Sequence, residues 1–186
     1  MAELDYNYIG ELVARAKSGD SDAFAELYAT TYQKQYLFAC NYLKDEYLAQ
    51  DALQETYITA LKNLGTLRDE KLFVSWLNQI NFRTCYTISA KQARYNSEME
   101  NYGGDVADTL RSYEPTPEES AVMVDSKDYL LQQVLALPCT ESQVILLHYY
   151  NNLTIDEIAY VMEISRSSVK RYLASGKARL AKDITV

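Results

Sequence analysis

A single histidine, His148, stands among the 186 residues. It lies in the apolar run Val144–Tyr150, where it reads as a packing side chain of a helix. A Ser-His-Asp triad or a multi-histidine metal site would have to be built on it. The three cysteines, Cys40, Cys85 and Cys139, are far apart and odd in number. They offer neither a CxxC knuckle nor a disulfide framework, a usage that suits a reducing, cytoplasmic compartment. No GxGxxG or P-loop pattern occurs. Catalysis, a metal, a cofactor and a small-molecule substrate are therefore not expected, and the charged and aromatic side chains are left to bind partners.

The strongest binding pattern is near the end of the chain. Between residues 163 and 182, Arg166, Lys170, Arg171, Lys177, Arg179 and Lys182 are opposed only by Glu163. The net charge of the chain is −8, but most of the acidity falls in residues 95–128. A basic helix keeps its own local field because the Debye length is only ~8–10 Å at physiological salt. Leu153–Leu173 reads as a short capped helix, a three-residue turn and a second capped helix, which is a helix-turn-helix. At 100° per residue, Val169, Leu173, Gly176 and Leu180 form the buried stripe of the second helix. Ser167 and Arg171 point away from that stripe, Arg166 and Lys170 lie on its flank, and Lys177 continues the basic set. Long donors so placed suit the edges and phosphates of a DNA major groove. An ordinary helical hairpin with a solvated basic face is the plainer alternative.

Two patterns in the first half are also suggestive. On a helix from about Tyr47 to Leu64, Leu53, Tyr57, Ala60 and Leu64 face a core, while Asp51, Glu55, Ile58 and Lys62 lie opposite with Gln54 beside them. Like charges one turn apart cost a helix a few tenths of a kcal/mol, so Asp51 and Glu55 next to an exposed Ile58 suit a basic docking partner, with an incidental solvated face as the plainer alternative. On the following helix, Phe73, Trp76, Leu77, Ile80, Thr84, Thr87 and Ile88 are expected on the core face. Asn78, Gln79, Phe82 and Tyr86 are expected to point outward, with Arg83 on the flank and Lys91 and Arg94 at the end. Outward aromatics among amides and basic groups suit unstacked bases of single-stranded DNA, and aromatic packing against a neighbouring helix is the plainer alternative.

The elements that must hold these residues are helical. Six glycines and 3 prolines are too few for a turn-rich β-sandwich. The expected class is all-α: two small helical domains joined by an acidic linker, the second ending in the helix-turn-helix. The N-terminal domain is expected over 1–94, the linker over 95–127 and the C-terminal domain over 128–186. Asp20 or Ser21 should cap the second helix, and Gly65 should close the third at a left-handed C′ position. The fourth should run from about Lys71 to Arg94, and helix should resume after Pro117. In the C-terminal domain Pro138 should stop one helix. Thr140-Glu-Ser-Gln143 and Thr154-Ile-Asp-Glu157 should open the next two as capping boxes, and Ser165 should cap the last. The opening Met1-Ala-Glu-Leu-Asp5 has no basic or apolar leader pattern and no apolar stretch approaches 18 residues, so neither secretion nor membrane insertion is expected.

Taken together, Asp22–Tyr28, Ala49–Leu64, Phe73–Ile80 and Leu153–Leu180 resemble a bacterial RNA polymerase sigma factor of the extracytoplasmic-function (ECF) group. The resemblance covers about 20–94 and 128–182, and rests jointly on Gln54-Glu-Thr-Tyr57, Trp76-Leu77 and the C-terminal helix-turn-helix. It implies a transcription initiation factor with core RNA polymerase and promoter DNA as partners, and an anti-sigma factor as a further one. It assigns Asp51, Gln54, Glu55 and Ile58 to a polymerase coiled coil. The loop Gly65–Lys71 and the residues Asn78, Gln79, Phe82, Arg83, Tyr86, Lys91 and Arg94 fall to melting and reading the −10 element. Arg166, Ser167, Lys170, Arg171 and Lys177 fall to the −35 element. Two rivals are a helix-turn-helix regulator that acts without polymerase and a sigma-like helical interaction protein that no longer binds DNA.

Overall fold

Short polar residues in extended conformation start the N-terminal helices. The computed structural model describes residues 5–101 and 126–184. The Asp5 carboxylate accepts from the Asn7 and Tyr8 amides and opens α1, Tyr6–Lys17. Asp20 does the same through Asp22 and Ala23 for α2, Ser21–Leu43, and Asp45 through Leu48 for α3, Glu46–Asn63. Each cap supplies an acceptor to amides that have no partner inside the helix. Lys44 ends α2 in the left-handed region at φ 55°.

The chain leaves α3 through two 3₁₀ turns, Leu64–Thr66 and Glu70–Leu72, before α4, Phe73–Asn101. Gly65 lies inside the first of these turns, not at a left-handed C′ position. Leu64 and Leu67 are both buried, and tightening the chain into 3₁₀ geometry lets both apolar side chains reach the core. Helix α4 extends seven residues beyond Arg94, so residues 95–101 belong to it and not to the linker. Residues 102–125, with Gly103-Gly104, Pro115, Pro117 and the helical re-entry expected after them, lie outside the described residues.

In the C-terminal domain α5, Ser126–Ala136, ends before Pro138. Helix α6, Cys139–Ile145, starts directly after it, with Pro138 at the N-cap and no side-chain cap. Thr140 therefore opens nothing: the proline's fixed φ presets the entry one residue earlier, and the Pro138 carbonyl accepts from the Ser142 amide at 3.0 Å. A π-helical turn, Leu146–Tyr150, follows. Thr154 and Glu157 make the reciprocal capping box of α7, Ile155–Met162. Glu163, at φ 55°, turns the chain, and Ser165 caps α8, Arg166–Ile184, by accepting from the Ser168 amide at 3.1 Å. Among the described residues there is no β-strand.

Each half has its own core. In the first, Ile9, Leu12, Val13, Leu27, Leu53, Tyr57, Phe73 and Leu77 are buried together. Burying one such side chain contributes about 1.5–3 kcal/mol. In the second, Val144, Ile158, Val161, Val169 and Leu173 form the centre. Gly176 completes the α6–α8 contact, because a Cβ there would stand 3.1 Å from Ile145 Cγ1. The halves also touch. Tyr160 of α7 packs against both cores, Leu72 packs against the second, and the Tyr160 hydroxyl accepts from the Arg68 amide.

Candidate functional site

Helix α3 presents the expected outward stripe. Asp51, Gln54, Glu55, Ile58 and Lys62 are exposed, while Leu53, Thr56, Tyr57 and Ala60 between them are buried. The structure adds two residues that sequence reasoning passed over: Tyr47 is 82% exposed and Leu61 55%. Their spacing of one turn from Asp51 and from Ile58 was the available signal. The stripe stands on a rigid base. Tyr57 packs against Tyr28 with ring centroids 4.5 Å apart, and its hydroxyl lies 2.7 Å from Thr31 Oγ1. Burial pushes the Tyr57 phenol up to about 12.

Helix α4 departs from the expectation. Arg83, Tyr86, Lys91 and Arg94 are exposed, but Phe82 and Gln79 are buried and Asn78 is half-buried. Phe82 is 2% exposed and meets Tyr42 edge-on at 5.6 Å and Phe38 at 6.2 Å. The Asn78 amide oxygen accepts from Gln35 Nε2. Thr87, expected in the core, is exposed, whereas Val74, Asn81 and Cys85 are buried. The true inward row is Phe73, Leu77, Asn81 and Cys85, each one turn from the last. The cause is α2, whose 23 residues run far enough to lay Phe38 and Tyr42 over the side assumed to be solvent. A groove of ≈ 440 Å³ opens beside this contact, lined by Phe82 and Asn78 from α4 and by Leu146 and Tyr150 from the C-terminal domain.

Helix α8 keeps its expected register. Val169, Leu173 and Gly176 are buried, and Leu180 is half-buried. Arg166, Ser167, Lys170, Arg171 and Lys177 are all exposed. Their local partners were not foreseen. Arg166 Nε forms an ion pair with Asp156 Oδ1 of α7 at 2.6 Å. The Ser167 and Ser165 hydroxyls are 2.8 Å apart, which ties down the first turn. The Arg171 guanidinium sits 5.0 Å from the Tyr172 ring centroid, and Lys177 Nζ sits 5.0 Å from that of Tyr149. Cations over aromatic faces gain about 0.5–1 kcal/mol at exposed sites. The Ile164 amide bonds the Ala159 carbonyl at 3.0 Å, locking the turn between the two helices.

The loop before α4 is partly covered. Arg68 gives its amide to Tyr160, while Lys17 Nζ reaches the Leu67 carbonyl and, at 2.6 Å, Glu70 Oε1. That lysine holds the Glu70 carboxyl below its ordinary range. Gly65, Thr66, Arg68, Asp69 and Lys71 remain exposed. His148 is half-buried, with Nδ1 2.8 Å from the Leu153 carbonyl and its ring edge-on to Tyr149. Among the described residues no cluster of histidine, cysteine or carboxylate side chains could hold a metal ion. No helix there is long and apolar enough to cross a membrane.

Comparison with known proteins follows the same division. The family model for sigma-70 region 2 matches residues 13–95, and that for sigma-70 region 4 matches residues 127–180. ECF RNA polymerase sigma factor SigW of Bacillus subtilis (strain 168) is 28% identical over 185 residues, covering 95% of this chain and 96% of that relative. ECF RNA polymerase sigma factor BldN of Streptomyces coelicolor is 28% identical over 170 residues, covering 91% of this chain and 63% of that relative. The fold is shared with CnrH, solved in complex with the cytosolic domain of CnrY, at a TM-score of 0.61 and 18% identity over 96% of this chain and 97% of that one. It is also shared with the sigma factor RpoE of Bartonella quintana, solved with the anti-sigma factor NepR, at a TM-score of 0.55 and 16% identity over 88% and 97%.

Proposed function

The chain belongs to the sigma-70 family of RNA polymerase sigma factors, in its ECF group, and from that premise we propose how its two halves divide the work. It is a transcription initiation factor that joins core RNA polymerase and directs it to promoter DNA. The first half docks on the polymerase through Asp51, Gln54, Glu55 and Ile58. It opens the −10 element with the 65–71 loop and with Arg83, Tyr86, Lys91 and Arg94 of α4. The second half holds the −35 element through α8. The chain makes and breaks no bonds of its own, since the polymerase supplies the chemistry. Work on core polymerase places it in the cytoplasm.

One observation carries this division: an exposed acid-amide-isoleucine stripe on α3 and an exposed basic recognition helix occur in one chain, on separately packed cores. The Tyr160–Arg68 contact adds a step. Duplex DNA spanning both elements needs α8 and the 65–71 loop far apart, so the halves separate on joining the polymerase. An anti-sigma factor is a further partner, consistent with the NepR complex of the related fold.

The test is gel filtration of the full chain with and without core polymerase, followed by run-off transcription. Co-elution and promoter-dependent transcripts are expected. A dimer that binds DNA without core would instead support a simple helix-turn-helix regulator. Co-elution with core but no promoter-dependent transcript would support an interaction protein.

A further inference from the structure

Resting on that reading, we propose that Lys17 is a positioning residue that presets the 65–71 loop for single-stranded bases of the −10 element. Lys17 is the last residue of α1. Its Nζ donates to the Leu67 carbonyl and, at 2.6 Å, to Glu70 Oε1. One ammonium thus grips the loop on either side of Arg68 and Asp69, which are exposed. The Lys17 side chain itself is only 20% exposed, so the grip is made against the domain and not in open solvent.

A loop of this length has many conformations to lose, at about 1–2 kcal/mol of entropy for each residue fixed. Leu64 and Leu67 fix its first part by burial. In its second part Asp69 Oδ1 accepts from the Lys71 amide at 3.0 Å and opens the 3₁₀ turn. That turn lies directly on α1: a Cβ at Gly10 would stand 3.7 Å from Glu70 Cβ and 3.8 Å from Lys71 Cγ. Lys17 joins the two parts into one arc. Lys17, Leu67 and Glu70 all belong to the first half of the chain, so the clamp survives separation of the halves. The Tyr160 hydroxyl, which accepts from the Arg68 amide, leaves with the second half. Separation therefore frees the Arg68 amide on an arc whose shape Lys17 keeps. An arc ordered before DNA arrives loses less freedom on contact, and it cannot reshape itself to suit a wrong base.

The experiment uses the full chain bound to core polymerase. A preferred single-stranded −10 oligonucleotide is first selected from a randomised library with the unaltered protein. Binding to it and to its single-base variants is then measured against salt for Lys17→Met, Lys17→Arg, Glu70→Gln and the Lys17→Met/Glu70→Gln pair. Lys17→Met keeps the apolar stem, and polymerase affinity should be unchanged. Its discrimination should fall about tenfold at one base, the scale of a single base contact, with the salt slope unaltered. Lys17→Arg has donors for both acceptors and should restore discrimination. Glu70→Gln keeps an oxygen acceptor and should lose less than Lys17→Met. The double variant should match Lys17→Met, because the Leu67 carbonyl stays unheld. Recovery of discrimination in the double variant would overturn the proposal, since Lys17 would then only offset the Glu70 charge. A salt slope smaller by about 0.7 in Lys17→Met would overturn it too, by marking Lys17 as a phosphate contact on single-stranded DNA. So would full discrimination by Lys17→Met, or loss of its polymerase affinity, which would make Lys17 a support of the whole domain. An unaltered holoenzyme that selects no oligonucleotide would overturn the sigma-factor reading itself, and this inference with it.

Discussion

Asn81 gives two hydrogen bonds to one residue, Gln35: its Nδ2 reaches the Gln35 backbone carbonyl at 2.9 Å and the Gln35 Oε1 at 2.8 Å. Both residues are buried, Asn81 completely. The Thr56 hydroxyl and the Cys85 thiol each lie 3.5 Å from Asn81 Oδ1. A polar side chain therefore pins α2 to α4 beside α3 in the middle of a helical core. An apolar replacement would strand the Gln35 acceptor, and each stranded buried group costs about 1–3 kcal/mol. Asn81→Leu should destabilise by roughly 2–4 kcal/mol, read as a lower urea midpoint at unchanged slope. A change under about 0.5 kcal/mol would show the network to be dispensable.

Phe82 and Tyr86, one turn apart on α4, should behave oppositely. Phe82 is enclosed by Phe38 and Tyr42, so Phe82→Ala should cost about 3 kcal/mol as a cavity. Tyr86 is 44% exposed, so Tyr86→Ala should stay within about 0.5 kcal/mol in stability. If Tyr86 stacks on an opened base, Tyr86→Ala should slow open-complex formation on duplex promoters and matter less on a pre-melted template, by about 1–3 kcal/mol. Equal rates on both templates would remove Tyr86 from the −10 interface.

Charge reversal at Asp51→Arg with Glu55→Arg should abolish polymerase binding. Both side chains are exposed on α3 and no ion pair to either is seen among the described residues. Melting temperature and helicity should hardly change, since exposed substitutions usually stay within about ±0.5 kcal/mol. Co-elution of the double variant with core polymerase at the unaltered affinity would move the docking surface elsewhere.

Alkaline pH should loosen the N-terminal domain before it affects the surface. Burial pushes the Cys85 thiol from 9.0 up to about 12, and the Tyr57 phenol from 10.0 up to about 12. Each folded-state value lies above the unfolded one. The stability these groups lend is complete below the unfolded values and is lost as pH rises toward 12. One such group gives a slope of up to about 1.4 kcal/mol per pH unit. Urea midpoints should fall from about pH 9 upward, and Cys85→Ala should remove the first part of that fall. A midpoint flat from pH 8 to 11 would contradict the burial of both groups.

Much of this was legible in the order of residues. Asp20, Thr154 and Ser165 cap helices because a short acceptor next to free amides is a local matter. The α3 stripe and the α8 register follow from a 3.6-residue period with one covered face. Helix α4 was misjudged because the period shows that a face is apolar, not how many neighbours enclose the helix. Phe82 reads as an outward aromatic until the far end of α2 is known to lie against it. Gln35 and Asn81 are ordinary surface amides in a sequence and become buried partners only across 46 positions. Composition and local spacing alone determined the all-helical class, the caps at Asp20, Thr154 and Ser165 and the basic recognition helix, since those depend on neighbours within a turn or two. Only the tertiary structure decided which side of α4 is dry, that Tyr160 meets Arg68, and that Arg166 is tied to Asp156, because each depends on packing between elements that no local pattern encodes.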